Sequence, residues 1–367
     1  MDSSSPGIDF AVVGHQDSWQ NISSFINGIR DKGQELSTEK IRDIFSFIPP
    51  RDVFRVKVRS KTGADINGVY IETFIDPGKL DSSFTKANIN KVMQAISHAK
   101  KMGARIVALG GFTSIVLEGN FDRFGESDTK FTTGNTLTAS YIVKGVEKAA
   151  EQHGINLSNA NVMIVGATGD IGMACTHYLK DNAGKLLLCA RNKSRLEKLA
   201  TELINENISV EYSISTEQLV PAADIIICVA SSSGMLLNNC KETVLICDAG
   251  YPKNIGTDCG NTLNGNLFHG GMGQVSNGFQ FNPDYSNHIY RYAAPHIIHG
   301  CILEAMVLAF ENRFENYSSG KGNISRKKME EIYNLGLKHG INVAPFYNAK
   351  GLWERSAVEG PGGAACL

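Results

Sequence analysis

A chain of 367 residues, 42% apolar and 20% charged, can bury a substantial core and has room for about two domains. Its 36 Lys and Arg against 37 Asp and Glu leave a formal charge of −1, which argues against a protein that works by wrapping nucleic acid. The longest apolar run, 222–230, is interrupted by Asp224 and falls well short of the about 20 residues that a bilayer span takes.

Met1-Asp2-Ser3-Ser4-Ser5 lacks a basic segment followed by an apolar stretch, so no secretory leader is expected and the expected compartment is the cytoplasm. Asp52 to Arg59 and Gly68 to Phe74 alternate like strands, with Thr62-Gly63-Ala64-Asp65 as the turn. Ala87 to Lys101 reads as a helix stopped by Gly103. Arg105 to Leu109 reads as a strand running into Gly110-Gly111-Phe112-Thr113-Ser114. A long helix over Thr136 to His153, ended by Gly154, bridges to the next unit. Residues 1–155 are thus expected to form an α/β substrate domain.

Residues 156–275 read as a second unit. Strands are expected at Asn161–Val165, Lys185–Ala190, Val210–Ile214, Asp224–Val229 and Thr243–Cys247. Their alternation with helical segments predicts an α/β fold with a Rossmann-type doubly wound parallel sheet. Ser194 is expected to cap a helix over Arg195–Asn205, with Glu197 completing a capping box. After about Gly273 the sheet pattern is expected to stop. Pro295 suits the first turn of a helix running to about Asn316, and Ser325 caps another ending near Gly340. Residues 276–350 are read as helices completing the substrate domain, and 351–367 as a flexible Gly-rich tail.

The first strand of the central unit leads into Gly166-Ala167-Thr168-Gly169-Asp170-Ile171-Gly172 and then a helix. In that context the three glycines give a tight turn, close approach of backbone to a pyrophosphate, and close helix–strand contact. Ala230 and Ser231, after the fourth strand, are expected to line the same site. The second strand ends in Arg191-Asn192 where NAD sites often carry an acidic residue. A guanidinium pairs with a 2′-phosphate, so NADPH is expected over NADH.

The eight cysteines are 175, 189, 228, 240, 247, 259, 301 and 366. No C-x-x-C pair or metal-ligand spacing occurs, so neither a disulfide scaffold nor a metal site is expected. Cys366 is penultimate, the wrong place for prenylation. Cys301 falls past the first turn of the helix expected from Pro295. Periodicity alone reads it as a packed residue whose thiolate the helix dipole helps little.

Five segments change that weighting: Ala108-Leu109-Gly110-Gly111-Phe112-Thr113-Ser114-Ile115, Phe131-Thr132-Thr133-Gly134-Asn135-Thr136, Val165 to Gly172, Ala190-Arg191-Asn192 and Gly250-Tyr251-Pro252-Lys253-Asn254. In this order they resemble the long-chain fatty acyl-ACP reductases best known from cyanobacteria, over about Phe10 to Gly340. The resemblance implies NADPH-dependent reduction of acyl-ACP, and often acyl-CoA, to a fatty aldehyde. It implies that Cys301, in Cys301-Ile302-Leu303-Glu304-Ala305-Met306, is the nucleophile. It also implies an aldehyde-consuming enzyme downstream. The stretch Gly119 to Asp128 is shorter than in cyanobacterial members, and His296 and His299 fall outside the pattern.

On that basis Thr113 and Ser114 are candidates for an oxyanion site, and Phe112, Ile115, Ile298, Ile302 and Met306 for an acyl slot. His15 and His98 are candidate proton carriers, and Lys253 a neighbour of the nicotinamide. Lys100-Lys101 with Arg105, or Arg326-Lys327-Lys328, are candidate patches for an acidic carrier protein. Two rival readings keep the dinucleotide site: an NADP-dependent oxidoreductase resembling shikimate dehydrogenase, without a covalent intermediate, and a non-catalytic NADPH sensor. Glutamyl-tRNA reductase, a further relative in architecture, would need a long helical arm that this pattern lacks.

Overall fold

Two six-stranded sheets organise the chain, and the ends of their strands converge. The structure, a computed structural model, describes residues 7–353 apart from 17, 30–32, 76–81, 112, 114–120, 122–123, 126, 236, 256–264, 287–291 and 321. The first sheet contains β1 (Phe10–Gly14), β2 (Arg51–Arg59), β3 (Asp65–Glu72), β4 (Ile106–Leu109), β5 (Lys130–Thr132) and β13 (Phe279–Asn282), in the order β13-β2-β3-β1-β4-β5. Only β2 runs against the others. The second contains β6 (Asn161–Val165), β7 (Lys185–Cys189), β8 (Val210–Ser213), β9 (Ile225–Cys228), β10 (Leu245–Asp248) and β11 (Leu267–His269). It is wholly parallel, in the order β8-β7-β6-β9-β10-β11. Strands buried on both faces need no alternation, which is why β9 reads Ile-Ile-Ile-Cys. The order reverses between β6 and β9, the place where such sheets open a ligand crevice.

The helix α4 (Asn135–Gln152) joins the two cores. Its Leu137 and Tyr141 pack into the apolar cluster of the first sheet, while Ile142, Val143 and Val146 pack into that of the second. Helices α1 (Trp19–Ile29), α2 (Thr38–Phe47) and α3 (Ser82–Lys101) belong to the first half. Helices α5 (Asp170–Leu179), α6 (Lys193–Asn205) and α7 (Thr216–Leu219) belong to the second. Helices α8 (Gly300–Phe310) and α9 (Arg326–Lys338) return to pack beside α4.

The C-terminal third departs from the sequence expectation. Strand structure does not stop at Gly273: β13 extends the first sheet. A small antiparallel sheet forms from β12 (Met272–Val275), β14 (Ile297–His299) and β15 (Ile341–Val343). The helix expected from Pro295 begins five residues later, because His296 adopts a left-handed φ of 62° and Ile297–His299 pairs with Met272–Gln274. Asn192, not Ser194, caps α6. Its Oδ1 accepts the Arg195 N–H at 3.0 Å, so the helix starts two residues early. Nor does the tail begin at 351. Gly351–Leu352 pairs with Tyr347–Asn348, and Trp353 Nε1 donates to Leu267 O at 2.8 Å.

Gly68 shows how tightly the first sheet is filled. A Cβ there would lie 2.2 Å from the ring of the wholly buried Phe10. Gly68→Ala is expected to lower stability by about 1–3 kcal/mol, the cost of overpacking. Urea unfolding checks it, through a lower midpoint at unchanged slope.

Candidate active site

The C-terminal ends of the parallel strands in both sheets border one cleft of about 1290 Å³. Gly14, Glu72, Gly110, Gly111 and Thr133 come from the first sheet, and Gly166, Ala190, Val229, Ala249 and Gly270 from the second. That volume exceeds the usual single-ligand pocket of about 300–1,000 Å³, so the cleft has room for a dinucleotide and a second molecule.

The second-sheet half is a backbone cradle. Gly166 has φ 92°, and a Cβ there would sit 2.9 Å from the Ala230 nitrogen. A Cβ on Gly172 would lie 2.1 Å from Gly166 O. Gly169 caps α5 with no side chain across the helix end, leaving first-turn N–H groups and a positive dipole end for an anion. These features fit a dinucleotide pyrophosphate. Thr168, Gly169, Asp170, Ile171, Arg191, Asn192, Ala230 and Ser231 all line the cleft. Ala167 does not: it is buried, with its N–H donated to Cys189 O at 3.1 Å. Asn192 spends its side-chain oxygen on the helix cap, and Arg195, one turn on, adds a second guanidinium to the lining.

The sequence reading missed what holds this half open. Asp248, at the end of β10 and 1% exposed, accepts N–H bonds from Gly250, Asn254 and Ile255 at 3.0–3.2 Å. Lys253, which also lines the cleft, donates from Nζ to the Asp248 carbonyl at 2.9 Å. Asn254 in turn donates to Ala230 O at 2.8 Å and accepts from Ala230 N at 3.0 Å. The Gly250–Asn254 segment is therefore the clamp that shapes the loop after β9.

The first-sheet half holds the thiol. Because α8 starts at Gly300 with His299 as its cap, Cys301 lies in the first turn, contrary to the position read from sequence. Burial pushes its thiol up to about 11, while the backbone N–H groups of Gly111, Ile302 and Cys301 itself favour the thiolate. Gly134, with φ 72°, lies against it so closely that a Cβ would be 2.1 Å from Cys301 Cα. The other described thiols are placed differently. Cys175, Cys228 and Cys247 are buried core residues, Cys189 closes β7, and Cys240 lies off the cleft. Cys259 and Cys366 fall outside the described residues.

His15 is also at this end. Its Nδ1 faces the Gln16 carbonyl at 2.9 Å, so Nδ1 is the donor and the neutral ring keeps Nε2 as its basic nitrogen. A Cβ on Gly111 would lie 2.8 Å from that Nε2. Thr113 is corrected as an oxyanion candidate. It is fully buried, and its hydroxyl lies 2.7 Å from Gly110 O and 3.1 Å from Val13 O, outside the cleft lining. Phe112, Ser114 and Ile115 fall outside the described residues. His98 pairs with Asp52 at 3.0 Å and does not line the cleft.

Beyond Cys301 the cleft turns apolar. Ile302 and Met306, one turn apart on α8, face it together with Ile298. Across from them Phe54 stacks on Tyr70 at 5.0 Å and meets Phe281 edge-on at 5.3 Å. Neither basic patch rims this trough. Arg105 precedes β4, at the opposite end of the strand from Gly110, with its guanidinium 3.4 Å over Phe314. Arg326 is paired with Glu330 at 2.9 Å and stacked over Tyr178. Among the described residues no cluster could hold a metal ion, and no helix is long and apolar enough to cross a membrane.

The sequence model of the Shikimate / quinate 5-dehydrogenase family matches residues 147–269, the second-sheet half. Aminotransferase PigE of a Serratia species is 27% identical over 79% of this chain and 34% of its own length. Among solved structures, L-tryptophan dehydrogenase from Nostoc punctiforme covers 91% of this chain and 81% of its own, at 11% identity and a TM-score of 0.37. The long-chain acyl-[acyl-carrier-protein] reductase of Synechococcus elongatus is 36% identical over 90% of this chain and 98% of its own length. The chain therefore belongs to the long-chain acyl-[acyl-carrier-protein] reductase family.

Proposed function

We propose that the protein reduces a long-chain fatty acyl thioester, carried on acyl carrier protein or CoA, to a fatty aldehyde with NADPH, through a thioester on Cys301. The observation that carries this reading is the place of Cys301. It stands in the first turn of α8, between a dinucleotide cradle and an apolar trough.

The thiol is mostly protonated at neutral pH, so attack requires a proton acceptor. His15 Nε2, beside the Gly110–Gly111 turn, is suited to that role. The Cys301 sulfur bonds to the acyl carbon, and the carrier leaves as a thiol with the proton. The N–H groups around the sulfur and the end of α8 stabilise negative charge there. The Gly166–Gly172 loop and Arg191 would hold a reduced nicotinamide dinucleotide, which would supply the hydride for the acyl carbon. Cys301 then departs as a thiolate, so the same donors serve its attack and its release. Arg191 is the residue proposed to select NADPH through the 2′-phosphate, and the trough of Ile298, Ile302, Met306, Phe54 and Tyr70 to hold the alkyl chain.

Three outcomes are expected. Intact-mass analysis after mixing with palmitoyl-CoA and no NADPH should show one acyl group, mapped to Cys301. Full activity in Cys301→Ala together with no adduct would leave the non-covalent, shikimate-dehydrogenase-like reading. Arg191→Ala should raise the KM for NADPH at least about tenfold and leave that for NADH within about twofold, since a guanidinium–phosphate contact is worth about 1.5–3 kcal/mol. Alkylation of Cys301 by iodoacetamide in the free enzyme should keep rising about tenfold per pH unit from pH 7 to 10, as for a thiol near 11. A plateau below pH 8 would contradict it.

A further inference from the structure

Glu304 carries no exposed surface, yet it is a carboxylate one helical turn from Cys301. Its hydrogen bonds have a single direction. The Leu137 N–H donates to its Oε2 at 2.8 Å, and Ser318 Oγ lies 2.7 Å from Oε1. Thr132 Oγ1 also donates to Oε1, while its oxygen accepts the Gly134 N–H at 3.0 Å. Ser318 Oγ donates to Glu304, accepts the Thr136 N–H at 3.1 Å and lies 2.5 Å from Thr136 Oγ1. Three donors, from Thr132, Leu137 and Ser318, therefore converge on one buried carboxyl group. Ser318 is held for this with φ 50°, a conformation costly for a residue with a Cβ, and its carbonyl accepts Thr133 Oγ1 at 2.7 Å.

The consequence is mechanical. The N-cap of α4 is Gly134, which has no side chain to close the helix end. Glu304 supplies that cap from α8. The same Gly134 turn presses on the Cys301 backbone. We propose that Glu304 is a positioning residue for Cys301: by capping α4 from α8 it locks the Thr132–Thr136 turn against the nucleophile and holds the sulfur under the Gly111 N–H. This inference rests on the proposed role of Cys301 as nucleophile.

The test uses Glu304→Gln, Thr132→Val and the double variant in the full-length protein, with acyl-CoA and NADPH. A glutamine cannot accept from all these donors, since its amide nitrogen donates. For E304Q we expect kcat and the rate of Cys301 alkylation to fall together by at least about tenfold. Dinucleotide affinity, read by fluorescence titration, should stay within about twofold of the parent. T132V should show the same paired loss to a smaller degree, and the double variant should be no worse than E304Q, as for one shared network. If E304Q does not fold, T132V, which keeps the side-chain volume, carries the test alone. Normal kcat and alkylation in a folded E304Q, or in T132V when E304Q does not fold, would overturn the inference. So would kcat losses that multiply in the double variant. Loss of activity in Cys301→Ala alongside an unaffected E304Q would refute this inference alone, whereas full activity in Cys301→Ala would refute the nucleophile reading beneath it.

Discussion

Two helices, α4 and α8, begin at the same point, and no side chain fits between them. Gly134 at the head of α4 touches the backbone of Cys301 at the head of α8, and one buried carboxylate, Glu304, joins the two ends. Helix N-termini carry partial positive charge and unpaired N–H groups. Brought together in a buried place they need acceptors. Glu304, whose carboxyl burial pushes above its ordinary range, supplies one to α4 through the Leu137 N–H, while the end of α8 is left to the thiol.

The rest of the molecule can be understood from that junction. α4 runs from it through both apolar cores, so the cradle of one sheet and the Cys301 thiol of the other keep a fixed relation. Asp170 adds a second tie, accepting from Asn135 at 2.9 Å and from the Gly322 N–H at 3.0 Å. The glycine loop is thereby bonded to the first turn of α4 and to the segment before α9. The cleft is chemically divided along the same line: backbone donors and arginines on one side, a thiol and an aromatic trough on the other.

Much of the second sheet was legible because a parallel strand buried on both faces is a short apolar run followed by a turn, and Asn161–Val165 with its three glycines is that pattern in full. The first sheet was harder. β5 is three residues long, too short to show a period, and β13 reaches the sheet only through long-range pairing with β2. The misplaced start of α8 had the largest effect. Pro295 suggested a helix, but His296 breaks the backbone direction and Ile297–His299 joins a sheet, which moves Cys301 from a helix interior to a helix end. Local signals could not show this, since the partner strand Met272–Val275 lies more than twenty positions away. The clamps at Asp248, Asn254 and Glu304 were hidden for a similar reason: a buried carboxylate or amide is recognisable only once its backbone donors, which come from other segments, are in place.

The central claim is that the carrier thiol leaves before any hydride moves. Rapid mixing of the protein with acyl-CoA in the absence of NADPH, with released CoA quantified after acid quench, tests it most directly. The account predicts a burst of about one CoA per protein chain, absent in Cys301→Ala. CoA released only after NADPH is added would contradict it.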